Sequence, residues 1–313
     1  MEGSMKSPYR QLSEWVHERC GLAAKSPGGI HSAAYDLTPE LANYFLENNP
    51  ENRAIRQSTV DSYTRDMLTG RWHLNGEPII ISKEGQLNDG QHRCWAVVQA
   101  GKPVMMVFTF GVVRETRITL DQGVARRLSD YLAMEGVANA TRLGTVAGQI
   151  WRYTRTNTIH PSSGTTGGKV LNAAGHLVVK KSAKPSKQEL MALLESDPLI
   201  MRCLDVCPTE SKLQRSVAPI SIFHFVAWLL VRHKNSEAVV SEFLKRIVEG
   251  TELTTGAPEL YIRNRLMSTT KMNPNEKVEL ILRGWNALCR GESVSKLPLQ
   301  GGKLPEIGVY KYK

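Results

Sequence analysis

The spacing of apolar residues changes once along this chain of 313 residues, close to residue 120. Between residues 36 and 112, β-branched runs such as EPIIIS alternate with segments whose apolar residues recur three and four positions apart. This alternation predicts one compact α/β unit of modest size. From residue 121 onward the spacing is helical nearly throughout. The fold class is therefore expected to be α+β, with a small mixed α/β domain followed by an all-α domain.

Changes in composition divide the chain into four predicted parts. Residues 1–35 form an N-terminal extension, 36–120 the α/β domain, 121–295 the helical domain and 296–313 a C-terminal tail. Within the helical domain, a stretch near 160–187 is rich in Gly, Ser and Lys. That composition is typical of a mobile basic loop or hairpin.

Local start and stop signals predict the elements of the α/β domain. Thr38 is expected to cap one helix, with a proline at its first position, and Ser58 to cap the next. The segment Pro78 to Ser82 is expected to be a strand, KEG a tight turn and QLN a short returning strand. A helix from Gly90 to Ala100 follows, and a glycine ends it.

The composition favours a cytoplasmic protein with an anionic partner. No segment approaches the roughly 18 consecutive apolar residues of a membrane helix, and the N-terminus lacks the apolar stretch of a signal peptide. No membrane partner is therefore expected. The net charge of +10 is compatible with binding of a nucleotide or of a nucleic acid such as DNA, because phosphates attract Lys and Arg.

Three residues of the helical part look reactive but are interpreted as structural. Cys203 and Cys207 are four residues apart, with no second pair to complete a zinc site, so all five cysteines of the chain are expected to be reduced thiols. His224 lies within the apolar run FHFVAW and is interpreted as a hydrogen-bonded core histidine.

The polar turn from Asp89 to Arg93 carries the chemistry of the α/β domain. Asp89 is expected to cap the helix, to bind Mg²⁺ or to deprotonate a hydroxyl, and Gly90 lets another group approach the backbone. The helix N-terminus favours a phosphate, for which Arg93 offers a bidentate fork, and His92 is a candidate donor or general base. The same residues are also compatible with a plain tight turn whose polar side chains are solvated.

These residues resemble a known domain. The segment Glu77 to Val107, EPIIIS…GQLNDGQHRCWAVVQAGKPVMMV, is similar to the ParB/sulfiredoxin superfamily in its strands, its motif, its helix and its final strand. DGQHR in particular resembles the motif of ParB-like proteins from phages, plasmids and DNA-modification loci. With flanking segments such as LDQGVARRLSDYLAMEG, the resemblance extends over roughly residues 36–290.

The resemblance implies roles for single residues. In ParB-type members the corresponding turn binds a nucleoside triphosphate, which implies ATP or CTP with Mg²⁺ at Gly90, Gln91, His92 and Arg93, and a homodimer is compatible with the family. In free-serine kinase members a similar turn supplies a catalytic acid, here Asp89, with an upstream glutamate matched by Glu77. Sulfiredoxins have a cysteine where this chain has Gln91, so sulfinic-acid reductase activity is not expected.

Further candidates lie outside the turn. Asn52 and Arg53 precede the first predicted strand and are expected to border the same nucleotide site. Basic residues are candidate contacts to a nucleic-acid backbone. They are Lys169, Lys180, Lys181, Lys184, Lys187, Arg126 and Arg127.

Three functions follow from these residues. The first is a nucleotide-binding ParB-like protein acting in DNA transactions, as a regulator, a partition factor or an accessory of DNA modification. The second is an ATP-dependent phosphotransferase or NTPase acting on a small molecule or nucleoside, with Asp89 or Glu77 as the base and His92 as a further catalytic group. The third is a ParB-like nuclease, which needs several metal-binding carboxylates.

Overall fold

The protein is α+β, as predicted, in a computed structural model that describes most of the chain. The described residues are 8–49, 54–119, 127–160, 168–171, 177–180, 184–268 and 272–311. Within them lie 13 α-helices and a small four-stranded mixed sheet, besides a two-stranded hairpin. The chain forms two compact units, residues 1–125 with 168–186 and residues 126–167 with 187–313.

The first unit contains the four-stranded sheet. Its elements are α1 (Pro8–Lys25), β1 (His31–Leu37), α2 (Pro39–Glu47), α3 (Gln57–Leu68), β2 (Ile79–Ser82), β3 (Leu87–Asp89), α4 (Gln91–Ala100), β4 (Val104–Val112) and the hairpin β5 (Gly168–Leu171) and β6 (Leu177–Lys180). Short 3₁₀ turns cover Pro27–Gly29 and Arg114–Thr119. The strand order is β1-β4-β2-β3, with β2 parallel to β4 and the other two pairs antiparallel.

The apolar core of this unit joins the sheet to the helices. Phe108 and Phe110 of β4 are fully buried, as are Ile79 and Ile81 of β2. Residues of α1, α2, α3 and α4 belong to the same cluster. Two rows of alternate strand residues thus form one buried face, as the period of two requires. The start of α4 is held between this sheet and the helices.

Residues 8–35 form a helix and the start of a strand that the sequence pattern did not predict. The helix α1 buries Val16 and Ala23 completely, and β1 begins at His31. The strand HSAAYDL has three residues of low strand propensity, so its pattern is weak. Seven consecutive register positions with β4 hold it in the sheet. Tertiary pairing therefore decides this strand.

Two predicted helix caps have different outcomes. Thr38 is the N-cap of α2, and its Oγ1 accepts a hydrogen bond from the Leu41 N–H at 3.2 Å, as predicted. The prediction for Ser58 is wrong, because α3 already begins at Gln57 with Arg56 as N-cap. The Arg56 N–H donates a hydrogen bond to Nε2 of His92 at 3.0 Å, 36 residues further along the chain, and this bond holds the helix start in place.

The second unit consists of helices and connecting segments, with no strand among its described residues. Its elements are α5 (Leu128–Met134), α6 (Ala140–Thr156), α7 (Lys187–Ser196), α8 (Leu199–Val206), α9 (Lys212–Val217), α10 (Ile220–Arg232), α11 (Glu237–Glu249), α12 (Pro258–Ser268) and α13 (Pro274–Arg290). The apolar run SVAPISIFHFVAWLLVRH is divided between α9 and α10, with Pro219 as N-cap of α10. Proline has no N–H to continue the first helix. Among the described helices, α10 included, none has the length and apolar character needed to cross a membrane.

The C-terminal segment is bonded to α13. The carboxylate of Glu279, fully buried, accepts hydrogen bonds from the backbone N–H groups of Gln300 and Gly302 at 2.6 and 2.7 Å. Trp285 donates its indole N–H to the carbonyl of Gly308 at 2.9 Å. The described part of the segment predicted as a tail is therefore an integral part of the helical unit.

Candidate functional site

The polar turn joins β3 to α4, and its backbone differs from the prediction. Asp89 is the last residue of β3 and pairs with Ile80, while Leu87 pairs with Ile81, so Asn88 lies in a bulge between the two pairs. Gly90 is the N-cap of α4, in a left-handed conformation with φ 106°. The prediction that Asp89 caps the helix is therefore wrong, because strand pairing moves the helix start one residue along the chain.

Gly90 is required by the core of the protein. A Cβ atom at this position would lie 2.5 Å from Cδ1 and 3.4 Å from Cα of Ile79. Its positive φ is also one that residues with a side chain rarely adopt. The missing side chain of Gly90 thus lets strand β2 pack closely against the start of α4.

The guanidinium of Arg93 is bonded to three protein oxygens. It donates to the carbonyls of Glu77 at 2.7 Å and Pro78 at 2.9 Å and to Oδ2 of Asp89 at 3.2 Å. The residue is 8% exposed. Arg93 therefore does not present the open bidentate fork that was expected. It instead ties together Asp89 and Glu77, the two acids predicted to be catalytic.

The two acids differ in how they are held. Asp89 is bonded through its carboxylate, and 28% of its side chain remains exposed. Glu77 is bonded through its main chain, and the residue is exposed. A carboxylate with one fixed partner and access to solvent is available to a metal ion or to a substrate proton.

Gln91 and His92 are held by a different segment. Nε2 of His92 accepts a hydrogen bond from the Arg56 N–H at 3.0 Å, and Oε1 of Gln91 accepts one from Nδ2 of Asn49 at 3.5 Å. The two residues are 8% and 5% exposed. The bond to Arg56 occupies Nε2 as an acceptor, so this nitrogen is not placed to act as a general base.

Two predicted ligands, Asn52 and Arg53, lie outside the described residues. Asn49, directly before that gap, and Arg56, the third residue after it, both contact the first turn of α4. The connection between them is six residues long in the sequence.

Cys94 follows the motif and is fully buried in α4. Burial raises the pKa of its thiol to about 12. The thiolate is the reactive form of cysteine, so this thiol is inert at neutral pH.

A small cavity lies beside the Arg93 bonds. Trp72, Leu74, Glu77, Arg93 and Met105 are among its lining residues, and its volume is about 10 Å³. Pockets for drug-sized ligands measure about 300–1,000 Å³. This cavity is therefore too small for a whole nucleotide.

Arg114 is a cation near the site that the sequence reading missed. It donates from Nη1 to the carbonyl of Leu87 at 3.3 Å and to Oδ1 of Asn88 at 3.1 Å. Its position two residues after the buried strand β4 is the sequence signal that was available. The bonds brace the bulge of β3.

The predicted nucleic-acid contacts do not share one environment. Lys184, Lys187 and Arg127 are exposed, and Nζ of Lys187 lies 4.9 Å from the centre of the Tyr131 ring. Lys169 and Lys180 belong to the hairpin, where they pair with Val179 and Gly168. Lys181 and Arg126 lie outside the described residues.

The segment after β6 is attached to α3 within the first unit. The Arg65 guanidinium donates to the Lys184 carbonyl at 2.7 Å, and the Ser186 hydroxyl donates to Oδ1 of Asp66 at 2.7 Å. Residues 184–186 thus have a defined position, although they belong to the stretch predicted as a basic loop.

The described residues contain no convergent group of three or more His, Cys, Asp or Glu side chains. At the cysteine pair, the Cys207 thiol donates to the Cys203 carbonyl at 2.9 Å, and burial raises the pKa of the Cys203 thiol to about 12 and that of Cys207 to about 11. Mg²⁺ needs only one or two carboxylates when phosphates complete its shell, so the carboxylate of Asp89 fits such a role.

Comparison of the chain with protein-family models, with curated proteins and with solved structures finds no match. The resemblance of the DGQHR turn to ParB-like domains thus depends on the residues quoted above. What the protein does has to follow from its own geometry.

Proposed function

We propose that this protein is a nucleotide-binding, ParB-like protein that acts in DNA transactions, as a regulator, a partition factor or an accessory of DNA modification. ATP or CTP binds through its phosphates at the N-terminus of α4, with Mg²⁺. The strand–turn–helix order at Asp89 to Arg93 and the mixed sheet support a ParB/sulfiredoxin-like arrangement of the first unit.

The observation that carries the proposal is that no side chain of the N-cap residue bonds the first turn of α4. Gly90 has no side chain with which to cap it, and Arg93 holds the carboxylate of the preceding residue, Asp89, in a bond of its own. A helix N-terminus attracts anions through its amide groups and its dipole. A phosphate supplies the negative charge that neither residue provides there.

The remaining parts of the site have assigned roles in this proposal. Asp89 binds Mg²⁺ together with phosphate oxygens. Asn52 and Arg53, which lie outside the described residues, keep their predicted role as phosphate ligands in this proposal. Gln91 and His92 form the buried support of the turn. The nucleotide occupies the surface at this helix start, since the adjacent cavity has room for a water molecule at most.

Basic residues support the link to DNA. The net charge of the chain is +10, and Lys184, Lys187 and Arg127 are exposed. Contacts from such side chains to phosphates release counterions and provide affinity without sequence preference. Lys169, Lys180, Lys181 and Arg126 remain predicted contacts in this proposal.

The second function, an ATP-dependent phosphotransferase or NTPase, is favoured by one specific observation. The carboxylate of Asp89 is fixed by Arg93 yet 28% exposed, as a general base for a substrate hydroxyl requires. Glu77 is the second candidate base. The nuclease alternative has no comparable support in the described residues, where carboxylates do not converge.

Thermal unfolding with ATP, CTP and GTP, each with and without Mg²⁺, tests nucleotide binding. Ligand at 100 times its Kd stabilises the native state by about 2.7 kcal/mol, so the Tm is expected to rise with the cognate nucleotide. Asp89→Asn is expected to reduce the effect of Mg²⁺, whereas Asp36→Asn, an exposed aspartate of β1, leaves it unchanged. If no nucleotide changes the Tm, the proposal is wrong.

Turnover measurements separate the two functions. If Asp89 is a base, Asp89→Asn abolishes turnover and preserves nucleotide affinity; if it is a metal ligand, both decline. DNA binding is expected to weaken as salt rises from 50 to 200 mM, and Lys184→Gln to reduce the slope of log K against log salt by about one. Affinity that is independent of salt contradicts the proposed DNA contacts.

A further inference from the structure

Trp95 of α4 differs from the other five tryptophans of the chain in its surroundings. It is 42% exposed, and among the described residues its ring has no aromatic or cationic neighbour. Each of the others contacts an aromatic ring or a guanidinium. They are Trp15, Trp72, Trp151, Trp228 and Trp285. Proteins usually bury most of an indole ring, so an exposed one without such a neighbour requires an explanation.

The position of Trp95 along α4 brings its ring close to the start of the helix. Trp95 follows Gln91 by four residues and His92 by three, so it is their neighbour on the helix surface. Helical side chains lean towards the N-terminus, and one turn measures about 5.4 Å. The ring therefore lies within about one turn of the amides at which we place the phosphates.

Two contacts from other segments border the side of α4 that carries Trp95. Around the helix axis Trp95 lies between Gln91 and His92, because successive residues are about 100° apart. Asn49 contacts Gln91 on one flank, and the Arg56 N–H bonds to His92 on the other. The exposed ring and the start of α4 thus belong to one region of the surface.

An exposed indole beside a phosphate site matches one part of a nucleotide, its base. Bases stack on aromatic rings through their flat faces, and this contact needs an open ring rather than an enclosed cavity. We infer that Trp95 is the platform on which the base of the bound nucleotide stacks, while its phosphates lie at the start of α4. This inference rests on the proposed function and names the residue that holds the base.

The expected consequence is binding that depends on the presence of a base and only weakly on its identity. Every base has a face that can stack, so ATP and CTP both use the platform. Inorganic triphosphate carries similar phosphates without a base. It is therefore expected to bind about 10-fold or more weakly than either nucleotide.

Isothermal calorimetry of the full chain with Mg²⁺ and ATP, CTP or inorganic triphosphate tests this platform. Trp95→Ala is expected to weaken nucleotide binding about 10-fold or more and to leave triphosphate binding unchanged, because only the contact to the base is removed. Trp95→Phe keeps an aromatic face and is expected to retain most of the affinity. Tyr131→Ala removes a ring of similar exposure, 38%, from α5 and is expected to bind nucleotide as the unmodified protein does.

The outcomes separate the two proposals. If Trp95→Ala binds nucleotide as tightly as the unmodified protein, no base stacks on this ring, and the inference is wrong while the phosphate site stands. An equal loss of affinity for nucleotide and for triphosphate also overturns it, because the ring then supports the phosphate site instead. Failure of every nucleotide and of triphosphate to bind the unmodified protein overturns the proposed function and this inference together.

Discussion

The helices α4 and α13 begin in opposite ways. At α13, the Asn273 side chain accepts from the Glu276 N–H at 3.0 Å, and the Glu276 carboxylate accepts from the Asn273 N–H at 2.9 Å. Pro274 occupies the first turn. At α4 the N-cap is Gly90, which contributes no side chain. The first start is closed by residues within one turn, whereas contacts from distant parts of the chain hold the second.

The difference shows which helix start lacks a side-chain cap of its own and so suits a ligand. A reciprocal cap satisfies the first-turn amides from within the helix and needs no other part of the fold. At α4 the corresponding acid, Asp89, is bonded to Arg93, and the supporting contacts come from Glu77, Asn49 and Arg56. A start of this kind depends on the tertiary fold, and its positive end suits an anion.

The largest expected effect comes from Gly90→Ala. A Cβ atom 2.5 Å from Ile79 at a φ of 106° combines overpacking with backbone strain. Each costs roughly 1–3 kcal/mol, so we expect the free energy of unfolding to fall by about 3–4 kcal/mol in urea denaturation. Gly101→Ala, at the other end of α4, has a φ of 66° and no atom within 4 Å of the added Cβ. It is expected to cost only about 1 kcal/mol, and equal losses would contradict the packing role of Gly90.

The helical unit that contains α13 is expected to lose stability in acid through one buried histidine, His224 of α10. His224 is bonded to Arg142 through Nδ1 at 3.2 Å and to the Ile200 carbonyl through Nε2 at 2.7 Å, as predicted for a core histidine. Burial, together with the positive charge of Arg142, lowers its pKa from 6.5 to about 4. Its neutral form stabilises the fold fully above pH 6.5, and this contribution is lost as pH falls towards 4.

The loss amounts to about 3 kcal/mol, because one pKa unit corresponds to 1.36 kcal/mol. Urea denaturation at pH 7, 5.5 and 4, followed by hydrogen exchange of peptides from α10 and α13, measures it. His224→Gln removes the titrating group and is expected to flatten this part of the pH dependence. The same acid response in both proteins would mean that other groups cause it.

Arg93→Lys tests the contacts that hold the start of α4. An ammonium group does not reproduce a planar fork that bonds Glu77, Pro78 and Asp89 at once. Two hydrogen bonds are lost, and we expect the free energy of unfolding to fall by about 2 kcal/mol in urea denaturation. Arg283→Lys is the matched control in α13, where Arg283 makes one i,i+4 bond to Glu279. A loss as large in the control would remove the distinction between the two helices.

The smallest effect is expected for the cap of α13. Asn273→Ala removes the acceptor for the Glu276 N–H and costs about 1 kcal/mol in thermal or urea unfolding. Asn273→Asp keeps an acceptor oxygen and is expected to retain most of the stability. If both variants lose equally, the capping box is not the source of the stabilisation.

The parts of the fold that were predicted correctly have patterns confined to a few neighbouring residues. The cap at Thr38, the strand ending at Ser82 and the helix ending at Ala100 are of this kind. The start of α3 at Gln57 and the strand β1 were not predicted, because a bond to His92 and pairing with β4 establish them. The residues of the candidate site were identified from the sequence. The hydrogen bonds that Arg93 donates to Glu77, Pro78 and Asp89 were not predicted.

Local chemistry in the sequence was therefore enough to establish an α+β chain with a polar turn between a strand and a helix, because helix and strand periods and caps are short-range properties. Only the tertiary structure decided which side chains of the turn are already hydrogen-bonded to other parts of the protein. Arg93 and His92 face oxygen and nitrogen atoms from residues far along the chain, and no local pattern records those partners. Only the tertiary structure likewise shows that, among the described residues, two buried atoms, Oδ1 of Asn49 and Nδ2 of Asn88, have no hydrogen-bond partner, since hydrogen bonding is satisfied in three dimensions.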